Sequence, residues 1–360
     1  METLKGRNQN ISHEYIKYVR HKKLLILILF ILCIAVGLYA LCSGSSGLSL
    51  PQVINCLLGN GDKMSESIVF NIRLPRIATA IVAGILLAMA GSVMQSVLRN
   101  PLASSSTLGI SHGASFGATV GIICFGAGIQ GTTSSASAVT IYNPVVVVIC
   151  AFVGGILSAL IILCLSKYKS MKPSSMVLVG VALSSLFSGG TTLIQYFADD
   201  VQVAAVVFWS FGDLGRSGWK EIGIMAVAAF VLFVFFILNR WNYNAMSSGA
   251  ETARSLGVNV DKVMIISMFA AALASSVAVA FVGIINFVGL IAPHMIRRFI
   301  GNDYRYLLPA SALTGALILL ISDTFGRLIA APVILPIGAI TSFLGAPVFI
   351  YLLFKGAGIK

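Results

Sequence analysis

The chain has 360 residues, of which 58% are hydrophobic and 10% charged, with a mean hydropathy of +0.95 and a formal net charge of +12. A soluble domain keeps about a quarter of its residues charged, so a water-covered globule is excluded and the chain reads as polytopic in a membrane. The basic excess then reflects which side of the membrane the cations occupy and their attraction to anionic lipid, and a nucleic-acid partner is not expected.

A helix needs roughly 20 apolar residues to span the hydrocarbon core, at 1.5 Å per residue. Read so, a basic N-terminal arm over 1–23 precedes a membrane domain over 24–360. The first span, 24–42, ends at Leu41-Cys42-Ser43-Gly44, a poor cleavage site, and is a retained helix rather than a signal peptide. Spans over 74–98, 108–125, 144–165 and 176–197 follow. The second set covers 222–238, 263–282, a short 284–296, 307–329 and 335–354. Ten spans return both termini to one side. With the N-terminus in the cytoplasm, 18 of the 24 Lys and Arg fall on the inner side and six outside, the bias that the positive-inside rule expects.

The longest outer loops are 43–71 and the Gly- and Ser-rich 126–143; the longest inner loop after the arm is 239–262. Within the latter, Gly249 to Val258 has helix formers, an acid in its first turn and Gly257 at the place of a C-terminal cap. A short helix on the cytoplasmic face is expected, either a connector resting at the lipid interface or a contact element. Small residues cluster inside the spans, at Ala83-Gly84, Ala90-Gly91, Gly154-Gly155 and 270–276. They let helix backbones approach closely.

Residues suited to catalysis or ion coupling are sparse. Asp199, Asp200, Asp323 and Glu221 lie at span ends within reach of the interface, and His112 and His294 read as packing residues. Six scattered cysteines form no metal or redox spacing, so neither metal nor cofactor is expected. Only Cys42 and Cys56 share the outer side, where a disulfide has room to form but two unpaired thiols are the expected state. No G-x-x-x-x-G-K-[ST] phosphate loop occurs, so any powered transport draws on a partner. Arg73 and Arg76 flank Leu74-Pro75 at an outer span end, and Arg327 lies at another. Such arginines oppose the positive-inside bias. They either snorkel to lipid phosphates or form a docking surface for acidic residues, where planar Arg forks suit carboxylates.

Several blocks together resemble the FecCD family of ABC-transporter permeases. They are Arg73-Leu74-Pro75-Arg76, Ala90 to Gln95, Arg99-Asn100-Pro101-Leu102-Ala103, Leu108 to Ser111, Leu178 to Leu183 and Phe208 to Gly212. Glu251 to Val258, Phe287 to His294, Leu307 to Pro309, Leu335 to Gly338 and Leu344 to Pro347 continue them in family order, from Arg73 to the C-terminus. The first 70 residues carry no matching motif.

The resemblance implies an all-α, BtuC-like type II ABC importer permease of ten transmembrane helices, multi-pass in a prokaryotic plasma membrane with both termini cytoplasmic. It implies two cytoplasmic ATPase subunits, an extracytoplasmic substrate-binding protein, and a second permease subunit, a homodimer being favoured over a pair with a related permease. By the same resemblance, Arg73, Arg76 and Arg327 pair with acidic residues of the binding protein. Ala250, Glu251, Ala253, Leu256 and Gly257 belong to the helix that couples to the ATPase. Asn100 and Leu102, with Ser174 and Ser175 on a loop that matches less closely, are the cytoplasmic gate. The expected cargo is an iron(III)-siderophore-type chelate, with cobalamin or haem as alternatives. An ion-coupled secondary carrier would need a buried carboxylate, and a membrane enzyme a cluster of Asp, Glu, His or Cys.

Overall fold

The computed structural model describes residues 2–44, 47–127, 143–169, 173–331 and 333–357; most of the Gly- and Ser-rich loop over 126–143 lies outside them. The described residues are helical almost throughout. Helix α1 (Glu2–Cys42) leads, followed by α2 (Leu50–Leu57) and α3 (Lys63–Ile68). A π turn, Val69–Arg73, then feeds α4 (Leu74–Val97), and α5 (Ile110–Thr119) runs into a second π turn, Val120–Cys124. Next come α6 (Pro144–Lys169), α7 (Pro173–Tyr196), α8 (Asp200–Ser210), α9 (Trp219–Leu238), α10 (Arg240–Ser247) and α11 (Ala250–Ser255). The chain closes with α12 (Val260–Val282), α13 (Val288–Ile300), α14 (Tyr304–Leu328) and α15 (Ile337–Ala357).

Every expected span has its helix. Among the described residues, seven helical stretches are long and apolar enough to cross a membrane. The other three expected spans hold shorter pieces: α5 with its π turn, α13 and α15. The basic arm is not separated from the first span, because α1 runs unbroken through it. At 1.5 Å per residue its 41 residues reach about 60 Å, twice the hydrocarbon thickness. Lys22 is buried there, with its ammonium 4.0 Å from the centre of the Tyr18 ring and 5.3 Å from that of Tyr306. Such cation–π contacts fasten a cation without a carboxylate. Two features were not expected: α8, an 11-residue apolar helix inside a presumed loop, and α2 and α3 between the first two long helices.

Helices α4, α12 and α14 form the centre, each largely buried, whereas α1, α7 and α9 expose most of their apolar surface. That exposure is the ordinary condition of a helix bathed in lipid. Close crossings depend on paired glycines. A Cβ at Gly91 would lie 1.7 Å from the carbonyl oxygen of Gly289, and one at Gly84 2.5 Å from that of Gly315. So α4 meets α13 and α14 almost backbone to backbone, the arrangement that small residues permit where lipid tails compete with side chains.

Candidate functional site

Two ends of the bundle carry the candidate residues, the Arg73 end and the α11 end. At the first, α4, α14 and the C-terminus of α1 converge. Arg76 donates from Nε to Asp323 Oδ1 at 2.8 Å, and Arg327 from Nε to Asp323 Oδ2 at 2.9 Å. Asp323 is 4% exposed. It is therefore a buried carboxylate, not the interfacial one expected from its place near a helix end, and two guanidinium groups compensate it. Arg73 donates to the carbonyls of Leu41 and Cys42, and Arg327 to those of Ser43 and Ala40. These are carbonyls at the end of α1, which have no helical partner and carry the negative end of its dipole. Snorkelling does not account for these arginines: they cap a helix and neutralise one acid.

Arg73 and Arg76 are 5% and 8% exposed. The three arginines are thus brought together, but as an internal network rather than three outward-facing forks. The open edge is Asp213, in the α8–α9 connection, whose half-exposed carboxylate lies 3.3 Å from Arg76 Nη1. Arg216 in the same connection is largely buried, which lowers its pKa below the usual arginine value against an opposing pull from Asp213. All six cysteines are free, Cys42 and Cys56 among them.

At the other end α11 stands as the short helix expected. Gly257, at φ 82°, closes it: its N–H donates to Arg254 O at 2.9 Å and the Val258 N–H to Ala253 O at 3.0 Å, a Schellman cap. Ala253 is fully buried against the bundle, Glu251 and Leu256 point away, and Leu256 is 68% exposed. Immediately before it, α10 is clamped to the core. Asn244 accepts from Tyr304 N at 2.8 Å and donates to Asp303 Oδ1 at 3.2 Å. The Tyr304 hydroxyl donates to Ser92 O in α4 at 2.7 Å, and the Tyr243 hydroxyl lies 2.9 Å from that of Ser267 in α12. Force applied to α11 thus has a hydrogen-bonded route into α4, α12 and α14. Nothing in the sequence spacing marked Tyr243, Asn244 and Tyr304, because their partners lie 24 to 212 residues away.

The gate candidates lie near this end. Asn100 Oδ1 accepts from Leu102 N at 2.9 Å, an Asx turn, and the preceding Arg99 takes φ 47°, unusual for a non-glycine residue. Ser174 and Ser175 open α7 after Pro173. Arg99 and Pro173, their immediate neighbours, line one cavity of about 460 Å³ together with Lys167 and Arg254. The two candidate stretches therefore border common space, although the Asn100–Leu102 hydrogen bond stays within its own turn.

This architecture has known counterparts. Residues 25–355 match the FecCD transport family. A protein of Methanocaldococcus jannaschii assigned as an ABC transporter permease is 52% identical over 346 residues, covering 96% of this chain and 98% of its own. The permease protein of an Fe(3+)-citrate import system of Bacillus subtilis is 39% identical over 332 residues, covering 92% of this chain and 94% of its own. A solved inward-facing conformation of a transporter assigned to the metal-chelate ABC type superposes with a TM-score of 0.79 at 29% identity, over 92% of this chain and 98% of that one. The protein is a multi-pass membrane protein with a BtuC-like fold, and the chain belongs to the FecCD transport family.

Proposed function

We propose that this chain is the permease subunit of an ATP-driven importer that passes an iron(III)-siderophore-type chelate across the plasma membrane, with both termini cytoplasmic. The observation that carries the reading is α11: a capped helix outside the bundle, clamped through α10 to three core helices and presenting an exposed leucine to a second protein. A cytoplasmic ATPase supplies that protein, one per permease, and two permease copies enclose the path. The support for the cargo is the kinship with the ferric-citrate permease.

The loaded binding protein docks at the Arg73 end. Because Arg73, Arg76 and Arg327 are already engaged, docking proceeds by exchange: an incoming carboxylate replaces half-exposed Asp213 on Arg76, while Arg73 and Arg327 hold the frame. Closure of the ATPases then moves α11, and the Asn100–Leu102 turn with Ser174 and Ser175 opens or shuts the path. The cargo is not altered, and its passage needs a wide, weakly binding lining.

The carrier alternative is weakened by the same geometry. Among the described residues the buried carboxylate, Asp323, is committed to hydrogen bonds from two arginines rather than left open to a transported ion. The test is uptake of a radio-iron chelate into proteoliposomes containing the chain, its partner ATPase and binding protein. Uptake that requires internal ATP supports the reading, and uptake that follows a proton or sodium gradient without ATP refutes it.

A further inference from the structure

A second polar site lies at the Arg73 end, apart from the arginine network. Between the start of α6, the start of α9 and the end of α12 is a cavity of about 330 Å³. Arg216 and Ser217 line it, and each carries a buried polar atom that finds no protein partner, Arg216 Nη1 and Ser217 Oγ, while Arg216 Nη2 donates to Phe208 O at 3.4 Å. Leaving a buried donor unmet costs about 1–3 kcal/mol, more when it is charged, so two together call for an acceptor from outside the chain. Glu221 is on the same wall, with Oε2 occupied by the Gly218 N–H at 2.9 Å. The remaining lining is apolar, aliphatic except for Trp209 and Phe281, and Val145, Ile149 and Ile224 expose more than half of their surface. These three belong to spanning helices, and their exposed apolar faces suit contact with lipid. The cavity is therefore open to the membrane side, with its polar groups where the helices emerge.

The geometry points to a binding site for one phospholipid of the leaflet at the Arg73 end, with the phosphodiester on Arg216 and Ser217, a headgroup amine on Glu221 and an acyl chain along α6 and α9. A guanidinium and a hydroxyl suit the two non-bridging phosphate oxygens. The single cation and single anion on one wall match a zwitterionic aminophospholipid better than an anionic lipid or an acidic peptide. Aliphatic walls of that exposure suit an acyl chain and would be wasted on a soluble anion. The tryptophan at the head of α9, Trp219, is half-exposed and donates to Phe70 O at 3.2 Å, as aromatic residues do at the membrane boundary.

The test is native mass spectrometry of the full chain, purified and stripped of lipid, then titrated separately with phosphatidylethanolamine, phosphatidylglycerol, diacylglycerol and inorganic phosphate. One phosphatidylethanolamine per chain should bind at least ten-fold more tightly than the other three. Arg216→Met and Ser217→Ala should each weaken it about ten-fold. Ile149→Trp, which fills the acyl groove and leaves the arginine intact, should also weaken it, and Glu221→Gln should erase the preference over phosphatidylglycerol. Equal binding of diacylglycerol, binding of phosphate alone, or variants that bind phosphatidylethanolamine as the parent does would each overturn the site.

Discussion

Asp323 holds two guanidinium groups at 2.8 and 2.9 Å in a place that water does not reach. Deleting one member of such a network leaves an uncompensated buried charge, at a cost of about 3–5 kcal/mol. Asp323→Ala is therefore expected to lower thermal stability in detergent and to loosen the end of α1, whose carbonyls Arg327 also holds. Asp213 is different, since its half-exposed carboxylate is replaceable. Asp213→Asn should leave stability within about 0.5 kcal/mol, as exposed pairs contribute little, and should tighten salt-sensitive association with the binding protein; weakened association would count against docking by exchange. The three arginines could be picked out of the sequence because they opposed the charge bias. Their burial could not, since what they cap is 31 to 287 residues away in the chain.

At the level of single helices, α11 is the element on which transport is expected to turn. Burying an exposed leucine in a partner contributes about 1.5–3 kcal/mol, so Leu256→Asp should cut uptake and stimulated ATP hydrolysis by at least about ten-fold. Membrane insertion should be unchanged, because Leu256 faces away from the bundle; normal uptake would remove α11 from the mechanism. Asn244→Ala tests the relay behind it. The ATPase should still bind, while hydrolysis uncouples from uptake. The α4–α13 crossing offers a control: at Gly91 even one methyl would enter the Gly289 carbonyl, so Gly91→Ala should cost about 1–3 kcal/mol by overpacking. Gly257 was readable as a cap because that role is local to the chain. Helix α8 was not, since its 11 residues are too short for a span and its apolar run matches a loop buried between helices.

Over the whole molecule, hydrophobic length alone marked a helix at each of the ten expected spans, seven of them, among the described residues, long and apolar enough to cross a membrane, because lipid imposes a single ruler on every crossing helix. What length could not convey is the order of burial. The crossing of α4 with α13 and α14 is decided by where small residues meet across segments 198 and 231 residues apart, Gly91 on Gly289 and Gly84 on Gly315. The same limit applies to assembly: α7 and α15 expose large apolar side chains such as Leu178, Tyr196 and Phe343, which fit lipid and a second subunit alike.

The central claim is that the chain works as one part of an ATP-driven importer of an iron chelate. Affinity purification of the tagged chain from its own membranes in mild detergent, with identification of the co-purifying proteins and their metal, tests it most directly. Recovery of an ATPase and a binding protein holding an iron chelate is the predicted result. A chain recovered alone, from membranes whose uptake follows an ion gradient, would contradict it.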